Sequence, residues 1–155
     1  MHLRKATDLD KGPLREWRIA NAEYFPPGPK ITVDSHLLWW KSYVNRPWDH
    51  MYMVVPEEGG DPVGTISVNM MAKTFERVMR GRPEHPGIMG KAIYELLNLY
   101  GDGDYMVQVL EGNDKAIKFY EKLGFRIFGR QEYKPPLYKV TAPYAMVNMI
   151  RENHL

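Results

Sequence analysis

The sequence contains no cysteine at all. That absence excludes a disulfide framework, a thiolate metal site and a cysteine nucleophile, and it favours a reducing, cytoplasmic setting. No apolar run approaches the roughly 18 residues that suggest a membrane span, and the N-terminal segment lacks the apolar core of a signal peptide. The net charge of +2 shows little excess of either sign, so the composition requires no polyanionic partner.

What the sequence does contain is the composition of an ordinary folded protein, with 44% hydrophobic, 26% charged and 12% aromatic residues. A chain of 155 residues is long enough to bury its own core, and we expect one domain over 1–155. The histidines show no ligand spacing, so metal catalysis has no support in the pattern. They are His2, His36, His50, His85 and His154.

Proline, glycine and hydrophobic spacing divide the chain into predicted helices and strands. Hairpin-like strands in the first half and alternating strand and helix in the second predict a mixed α/β sheet of about seven strands, flanked by about four helices. The predicted strands are His2–Ala6, Met51–Val55, Val63–Met70, Thr74–Met79, Tyr105–Leu110, Arg126–Gly129 and Leu137–Ile150, with a loop at Lys134–Pro136. The predicted helices begin near Pro13, at a cap on Asp34 or Ser35 with Leu37, Trp40 and Val44 at helical spacing, after Gly87–Ala92, and at a cap on Asn113.

The segment Gly87–Ala92 follows a predicted strand and opens a helix. Glycines let the backbone approach an anion closely, and the N–H groups at a helix start favour negative charge. The segment matches neither a Walker A loop nor a G-x-G-x-x-G fingerprint. A phosphate-binding loop and a tight turn before a surface helix therefore both remain open.

The segment Val109–Phe125 reads as a strand followed by a capped helix. Ala116, Tyr120 and Leu123 fall on one face of that helix. A tyrosine on an inner face is usually part of the core, yet its phenol can also give a proton to a leaving group of similar acidity. The residues alone leave both interpretations open.

This segment resembles part of the cofactor region of the GNAT acetyltransferases, with their pattern N-x-x-A-x-x-x-Y-x-x-x-G-F. Gly87–Ala92 resembles the pyrophosphate loop of that family, Q/R-x-x-G-x-G/A, through Gly90 and Ala92. Gly87 stands where the family has Gln or Arg, and Arg80, Arg82 or Lys91 could supply the missing contacts. The order of elements agrees over nearly the whole chain. The resemblance implies a GNAT fold, acetyl-CoA as donor, and direct transfer to an amine without an acyl-enzyme.

The resemblance also implies roles for individual residues. Tyr120 matches the tyrosine that protonates the departing CoA thiolate. The residues assigned to acetyl-CoA are Val78, Met79, Arg80, Gly87, Ile88, Met89, Gly90, Lys91, Ala92, Asn113, Lys115 and Ala116. An ammonium acceptor must lose a proton before attack; Glu76, beside the expected cleft, is the first choice of base and His85 the second.

Acceptor specificity in this family comes largely from the first two helices and neighbouring loops. We assign Tyr24, Phe25, Trp40 and Asn69 to the acceptor site, although several aromatic side chains of this region should be core. The stretch from Trp39 to Trp48 loosely resembles enzymes that acetylate amino sugars, while protein N-termini, polyamines and aminoglycosides stay open. Acidic residues do not cluster here, which favours a small, weakly charged amine. Exposed C-terminal strands often pair in this family, so a homodimer is also an expectation.

Two other classes of function are consistent with parts of the sequence. A GNAT-fold protein that binds CoA or a nucleotide without transfer is favoured by Gly87 and by the uncertain base, and disfavoured by Asn113 and Tyr120. Nucleic-acid binding, with or without modification of a base, would use Lys73, Arg77, Arg80 and Arg82. The near-neutral net charge argues against simple nonspecific binding.

Overall fold

The computed structural model describes residues 1–101, 103–134 and 142–152. Within them, seven strands form one sheet in the order β1-β2-β3-β4-β5-β7-β6. The strands are β1 (His2–Lys5), β2 (Asp49–Val55), β3 (Gly64–Asn69), β4 (Thr74–Arg80), β5 (Tyr105–Leu110), β6 (Arg126–Tyr133) and β7 (Tyr144–Arg151). The α-helices are α1 (Lys11–Ala20), α2 (Val33–Val44), α3 (Ile88–Tyr100) and α4 (Asp114–Lys122). The predicted mixed sheet with its flanking helices is confirmed.

Helix caps show where local prediction succeeds and where it fails. Asn113 caps α4 as predicted, because its Oδ1 accepts from Ala116 N at 3.3 Å. The predicted cap of α2 at Asp34 or Ser35 was wrong. Thr32 is the cap: its Oγ1 accepts from Ser35 N at 3.0 Å, and Thr32 N donates back to Ser35 Oγ at 2.9 Å.

The predicted ends of the last two strands were also wrong. β6 continues to Tyr133 instead of stopping at Gly129, because it pairs with β7 along its whole length. β7 begins at Tyr144. Positions 135–141, which include most of the predicted loop Lys134–Pro136 and the predicted start of the last strand, lie outside the described residues.

Two hydrophobic layers cover the two faces of the sheet. Along β2, Met51 and Met53 face one layer and Tyr52 and Val54 the other, as the period of two in a strand requires. The smaller layer packs beneath α1 and α2, through Leu14, Trp40 and Tyr43. The larger layer lies beneath α3 and α4 and includes Ile93, Leu96, Tyr120 and Leu123.

β4 is the irregular strand of the sheet. Its register with β3 shifts between Thr65↔Met79 and Ser67↔Glu76, so β4 carries one extra residue, a β-bulge. Within the bulge, Arg77 has a φ of 48°, in a region that residues other than glycine seldom occupy. β4 runs parallel to β5, and their pairing is limited to Thr74↔Met106. Beyond that pair the two strands separate and leave a gap in the sheet.

α1 contacts the connection between β4 and α3 at a glycine. A Cβ built on Gly81 would lie 2.0 Å from Cε2 of the Trp17 indole, which is far inside van der Waals contact. Asn21, which follows α1, donates through Nδ2 to Trp17 O at 2.8 Å and to Arg80 O at 3.4 Å. Only a residue without a side chain fits at position 81 while the indole stays in place.

We expect Gly81→Ala to lower the free energy of unfolding by about 1–3 kcal/mol, because the new methyl group overpacks the Trp17 contact. Urea denaturation measures the change. Gly12→Ala in α1 is the matched control, since no atom lies within 4 Å of its built Cβ and alanine is the better helix former by up to about 1 kcal/mol. Equal stability of the Gly81→Ala variant and the wild type would show that the indole moves away without penalty.

Candidate active site

A cleft of about 520 Å³ occupies the gap where β4 and β5 separate. Phe75 and Val78 line it from β4, Val109 from β5, and Ala116 and Tyr120 from α4. Tyr24 and Phe25, which follow α1, close one end. The cleft is therefore elongated along β4, whose backbone has no strand partner on this side after Thr74.

The charged side chains that line the cleft are mostly basic. They are Arg77, Arg80, Arg82 and Lys115, with Glu76 as the one acidic residue among the lining positions. A cleft of this sign favours an anionic ligand such as a diphosphate. Arg80 also braces the β4–α3 connection, because Nε donates to Arg82 O at 3.1 Å and Nη2 to Pro83 O at 2.7 Å.

The start of α3 offers backbone donors beside the cleft. Gly87 is the N-cap residue, with a φ of 81°, a conformation that glycine adopts without strain. Ile88 N donates to His85 O at 3.2 Å. The N–H groups of Met89 and Gly90 have no backbone acceptor within the described residues, and such N–H groups bind anions well.

The residues of the predicted phosphate segment are spread over several environments. Met89 lines the cleft, whereas Ile88 and Ala92 are buried in the larger hydrophobic layer. Gly90 lies in the first turn of α3 and faces α4, with Leu123 Cδ2 3.6 Å from its built Cβ. Gly87 and Lys91 are exposed. Because α3 already begins at Ile88, most of these positions are helix and not loop, and Ile88, Gly90, Lys91 and Ala92 do not line the cleft.

Tyr120 projects from α4 into the wall of the cleft. Its ring packs edge-on against Phe119 at 5.1 Å and Phe125 at 5.6 Å, measured between ring centroids. Burial raises the pKa of the Tyr120 phenol, so the hydroxyl keeps its proton throughout the neutral range. Asn113, Lys115 and Ala116, on the first turn of the same helix or just before it, line the cleft with it.

Glu76 is half-buried on β4 and lines the same cleft. Its Oε1 accepts from Thr74 Oγ1 at 3.0 Å and from Asn69 Nδ2 at 3.3 Å. Its Oε2 lies 3.9 Å from Arg77 Nη1. Asn69 does not line the cleft. Its effect on the cleft is indirect, because its hydrogen bond orients the Glu76 carboxylate. His85, the second candidate base, is exposed and lies outside the lining.

A second cavity of about 220 Å³ lies under α1 and α2, and Arg77 lines both cavities. The other residues that line this pocket are Leu14, Arg18, Ile31, Ser35, His36, Trp39, Met51 and Met79. Met79, assigned above to acetyl-CoA, therefore lies here and not in the cleft. Trp40 lines neither cavity, because it is 5% exposed and its Nε1 donates to Asp8 Oδ1 at 2.6 Å.

Sequence reasoning missed Arg18, His36 and Trp39 as lining residues of this pocket. The face predicted for α2 was partly wrong, since Leu37 is 38% and Val44 56% exposed whereas His36 is 8% exposed. The rings of His36 and Trp39 are in contact, tilted by 33° with centroids 5.3 Å apart. Their i, i+3 spacing places them on one face of α2. Because histidine is polar, the hydrophobic pattern of the sequence did not predict that this face is buried.

The sequence profile of the family described as "Acetyltransferase (GNAT) family" matches residues 14–125. The chain belongs to the GNAT acetyltransferase family. It is therefore an acyltransferase of GNAT type whose acyl donor is acetyl-CoA, and the sequence-based predictions of family, enzyme class and donor are confirmed. No curated protein matches the sequence significantly.

Solved structures with the same fold are distant in sequence. A ribosomal-protein-alanine N-acetyltransferase from Brucella melitensis superposes with a TM-score of 0.74 at 16% identity, covering 99% of this chain and 100% of that one. A spermidine N-acetyltransferase from Vibrio cholerae in complex with CoA and spermine gives 0.73 at 15%, covering 96% and 93%. An N-acetyltransferase from Staphylococcus aureus Mu50 gives 0.72 at 15%, covering 97% of each chain. At these identities the likeness establishes the fold and leaves the acceptor undetermined.

Three further features bear on the other classes of function and on possible metal or membrane sites. In the described part of the chain, no three or more His, Cys, Asp or Glu residues come together as a metal site would require. None of the described helices is both long and apolar enough to cross a bilayer.

Of the basic residues considered for nucleic-acid binding, Arg77 is partly buried against Asp49 and Arg80 donates to loop carbonyls. They do not form one exposed basic strip.

We expect Tyr120→Phe to lower kcat by about 10²–10⁴-fold at neutral pH, the usual contribution of a general acid, while the Kd for acetyl-CoA stays unchanged. Steady-state release of free thiol measures kcat, and calorimetry measures Kd. Tyr94→Phe is the matched control, because Tyr94 is 44% exposed on α3 and outside both cavities. An unaltered kcat in the Tyr120→Phe variant would remove the phenol from the acid role.

Proposed function

We propose that this GNAT enzyme is an N-acetyltransferase that moves the acetyl group of acetyl-CoA directly to the primary amine of a small molecule. The observation that carries the proposal is the meeting of the two cavities at Arg77. One is a basic cleft, and the other is the small pocket under α1 and α2, which we call the acceptor pocket. A donor in the cleft and an acceptor in the pocket would have their reacting groups beside Glu76.

The cleft suits acetyl-CoA in shape and charge. The N–H group of Met89, together with Arg82 and Lys115, all of which line the cleft, would hold the phosphates. The unpaired edge of β4 after Thr74 would bind the amide groups of the pantetheine arm by adding strand-like hydrogen bonds. Bound there, acetyl-CoA supplies an acetyl group already activated as a thioester.

Glu76 and Tyr120 provide the proton transfers. The Glu76 carboxylate accepts a proton from the ammonium form of the acceptor, directly or through a water molecule, and leaves a nucleophilic amine. The amine forms the new C–N bond while the thioester C–S bond breaks. The Tyr120 phenol gives its proton to the departing thiolate, and the second proton that the nitrogen loses returns through water to the Tyr120 phenolate. Glu76 releases the proton that it accepted to solvent, so that the amide keeps one N–H and one proton leaves in total.

A small acceptor is favoured by the size of the acceptor pocket. Its volume of about 220 Å³ exceeds the roughly 150 Å³ cavity that holds benzene in another protein but is too small for a folded protein segment. Trp39 and Met51 offer apolar walls for a ring or an aliphatic chain. The suggestion of an amino sugar, drawn from the stretch Trp39 to Trp48, stays a prediction.

Calorimetric titration with acetyl-CoA, CoA and ATP tests the donor site. Saturable binding of acetyl-CoA at micromolar concentration with weak binding of ATP is expected. Mass spectrometry of a mixed pool of small primary amines then tests transfer, through a gain of one acetyl group. Tight acetyl-CoA binding without any acetylated amine would instead support the noncatalytic binding protein considered above.

Glu76→Gln is expected to lower kcat/KM for the amine by about 10²–10⁴-fold near neutral pH and to leave the Kd for acetyl-CoA unchanged. The deficit should shrink as the pH approaches the pKa of the amine, because the acceptor then arrives already deprotonated. Glu95→Gln, on an exposed position of α3, is the control. A deficit that is constant over this pH range would assign Glu76 a structural role.

A further inference from the structure

The Arg18 guanidinium is an uncompensated charge in the wall of the acceptor pocket. Its Cζ lies 3.9 Å from the centroid of the Phe25 ring, and no carboxylate within the described residues forms an ion pair with it. Burial lowers the pKa of Arg18. The face of Phe25 stabilises the cation in part, and a ligand carboxylate would add charge-assisted hydrogen bonds.

Nearby carboxylates are already committed to other groups. Asp10 is 2% exposed and forms a two-pronged ion pair with Arg4, at 2.8 and 2.9 Å. Asp8 accepts from Trp40 Nε1. Neither residue lines the pocket, and none of the residues that do is acidic. The negative charge that would balance Arg18 is therefore not supplied by these carboxylates.

Arg77 adds a second cation at the inner end of the pocket. It pairs with Asp49, which is 6% exposed and also accepts from Arg46 Nη1 at 3.3 Å. One carboxylate thus serves two guanidinium groups. Glu76 lies 3.9 Å from Arg77 at the junction with the cleft, so the inner end of the pocket is the place where a cationic amine is best accommodated.

The surroundings of His36 in the pocket wall are also positively charged. Burial lowers its pKa, and the charges of Arg15 and Lys11 lower it further. The imidazole is therefore neutral at physiological pH and offers the pocket a hydrogen-bonding group without charge. The rest of the wall is apolar, with Leu14, Trp39 and Met51 among its members.

From this arrangement we infer that the acceptor is an α-amino acid with an apolar side chain, whose carboxylate binds Arg18. The inference rests on the proposed function, because it names the acceptor of that same site. The apolar side chain packs against Trp39 and Met51, and the amine points toward Glu76. A polyamine, with positive charges along its length, would be repelled by Arg18 in the pocket wall and is disfavoured.

Matched acceptor series test this inference. Leucine, methionine and phenylalanine are compared with their carboxamides, which keep the amine and side chain but lack the anionic group. We expect kcat/KM for at least one acid to exceed that for its carboxamide by tenfold or more. Spermidine and glucosamine complete the panel, and a preference for either over all three acids would overturn the inference.

Arg18 is tested by substitution in the full chain. Arg18→Gln should reduce the acid-to-carboxamide ratio to near one, mainly through KM, and Arg18→Lys should restore part of it. Arg130→Gln, on the exposed strand β6 and away from both cavities, should leave the ratio unchanged. If the acid-to-carboxamide ratio is unchanged in the Arg18→Gln variant, another residue binds the carboxylate and the role of Arg18 is overturned.

Failure of the inference is distinguishable from failure of the proposed function. Transfer to amines with no preference for the acids overturns the inference and leaves the function standing. If no amine is acetylated, binding decides: quenching of tryptophan fluorescence, in the presence of CoA, is measured with leucine and with leucinamide. Tighter binding of leucine, lost in the Arg18→Gln variant, supports the anion site, and equal binding overturns it.

Discussion

The ion pair between Asp49 and Arg77 is the interaction on which the site depends. Arg77 occupies the bulge of β4 with a φ of 48°, a conformation that costs about 1–3 kcal/mol unless its surroundings hold it. Asp49 holds it from β2, Ser67 accepts from its Nε at 3.0 Å, and the rings of Trp39 and Tyr43 lie beside the guanidinium. If the bulge relaxed into a regular strand, buried Asp49 would lose Arg77 and keep only Arg46 at 3.3 Å, and breaking a buried ion pair is destabilising.

The bulge has two structural effects, one at the edge of β4 that faces β5 and one on the sheet face that α2 covers. On the side of β5 it accompanies the separation of the strands after Thr74, which leaves backbone donors and acceptors along the cleft. On the side of α2 it places Arg77 across the inner end of the acceptor pocket. A single extra residue in β4 therefore shapes both cavities, and Glu76, directly before Arg77, lines the cleft.

The sequence predicted the order of elements, the sheet type and the residues of α4 because those features are local. Residue type and spacing alone predict a helix cap at Asn113, an inner helix face at Tyr120 and a helix end at Gly124. The structure confirms the cap at Asn113 and the helix end at Gly124. The acceptor pocket escaped prediction because it depends on pairings between distant residues. Asp49 and Arg77 are far apart in sequence, the bulge leaves no periodic signal, and α2 buries His36 while exposing Leu37, contrary to its hydrophobic pattern.

α1 connects the two cavities physically. Its residue Arg18 lines the acceptor pocket, while Trp17, its neighbour in sequence, covers Gly81, and Asn21, just beyond the helix, donates to Arg80 O at the start of the connection that leads to α3. A shift of α1 would therefore move Arg18 in one cavity and the Trp17 contact with Gly81 beside the other at the same time. Any coupling between two sites is reciprocal. Helix α1 is thus one rigid element that contacts both cavities.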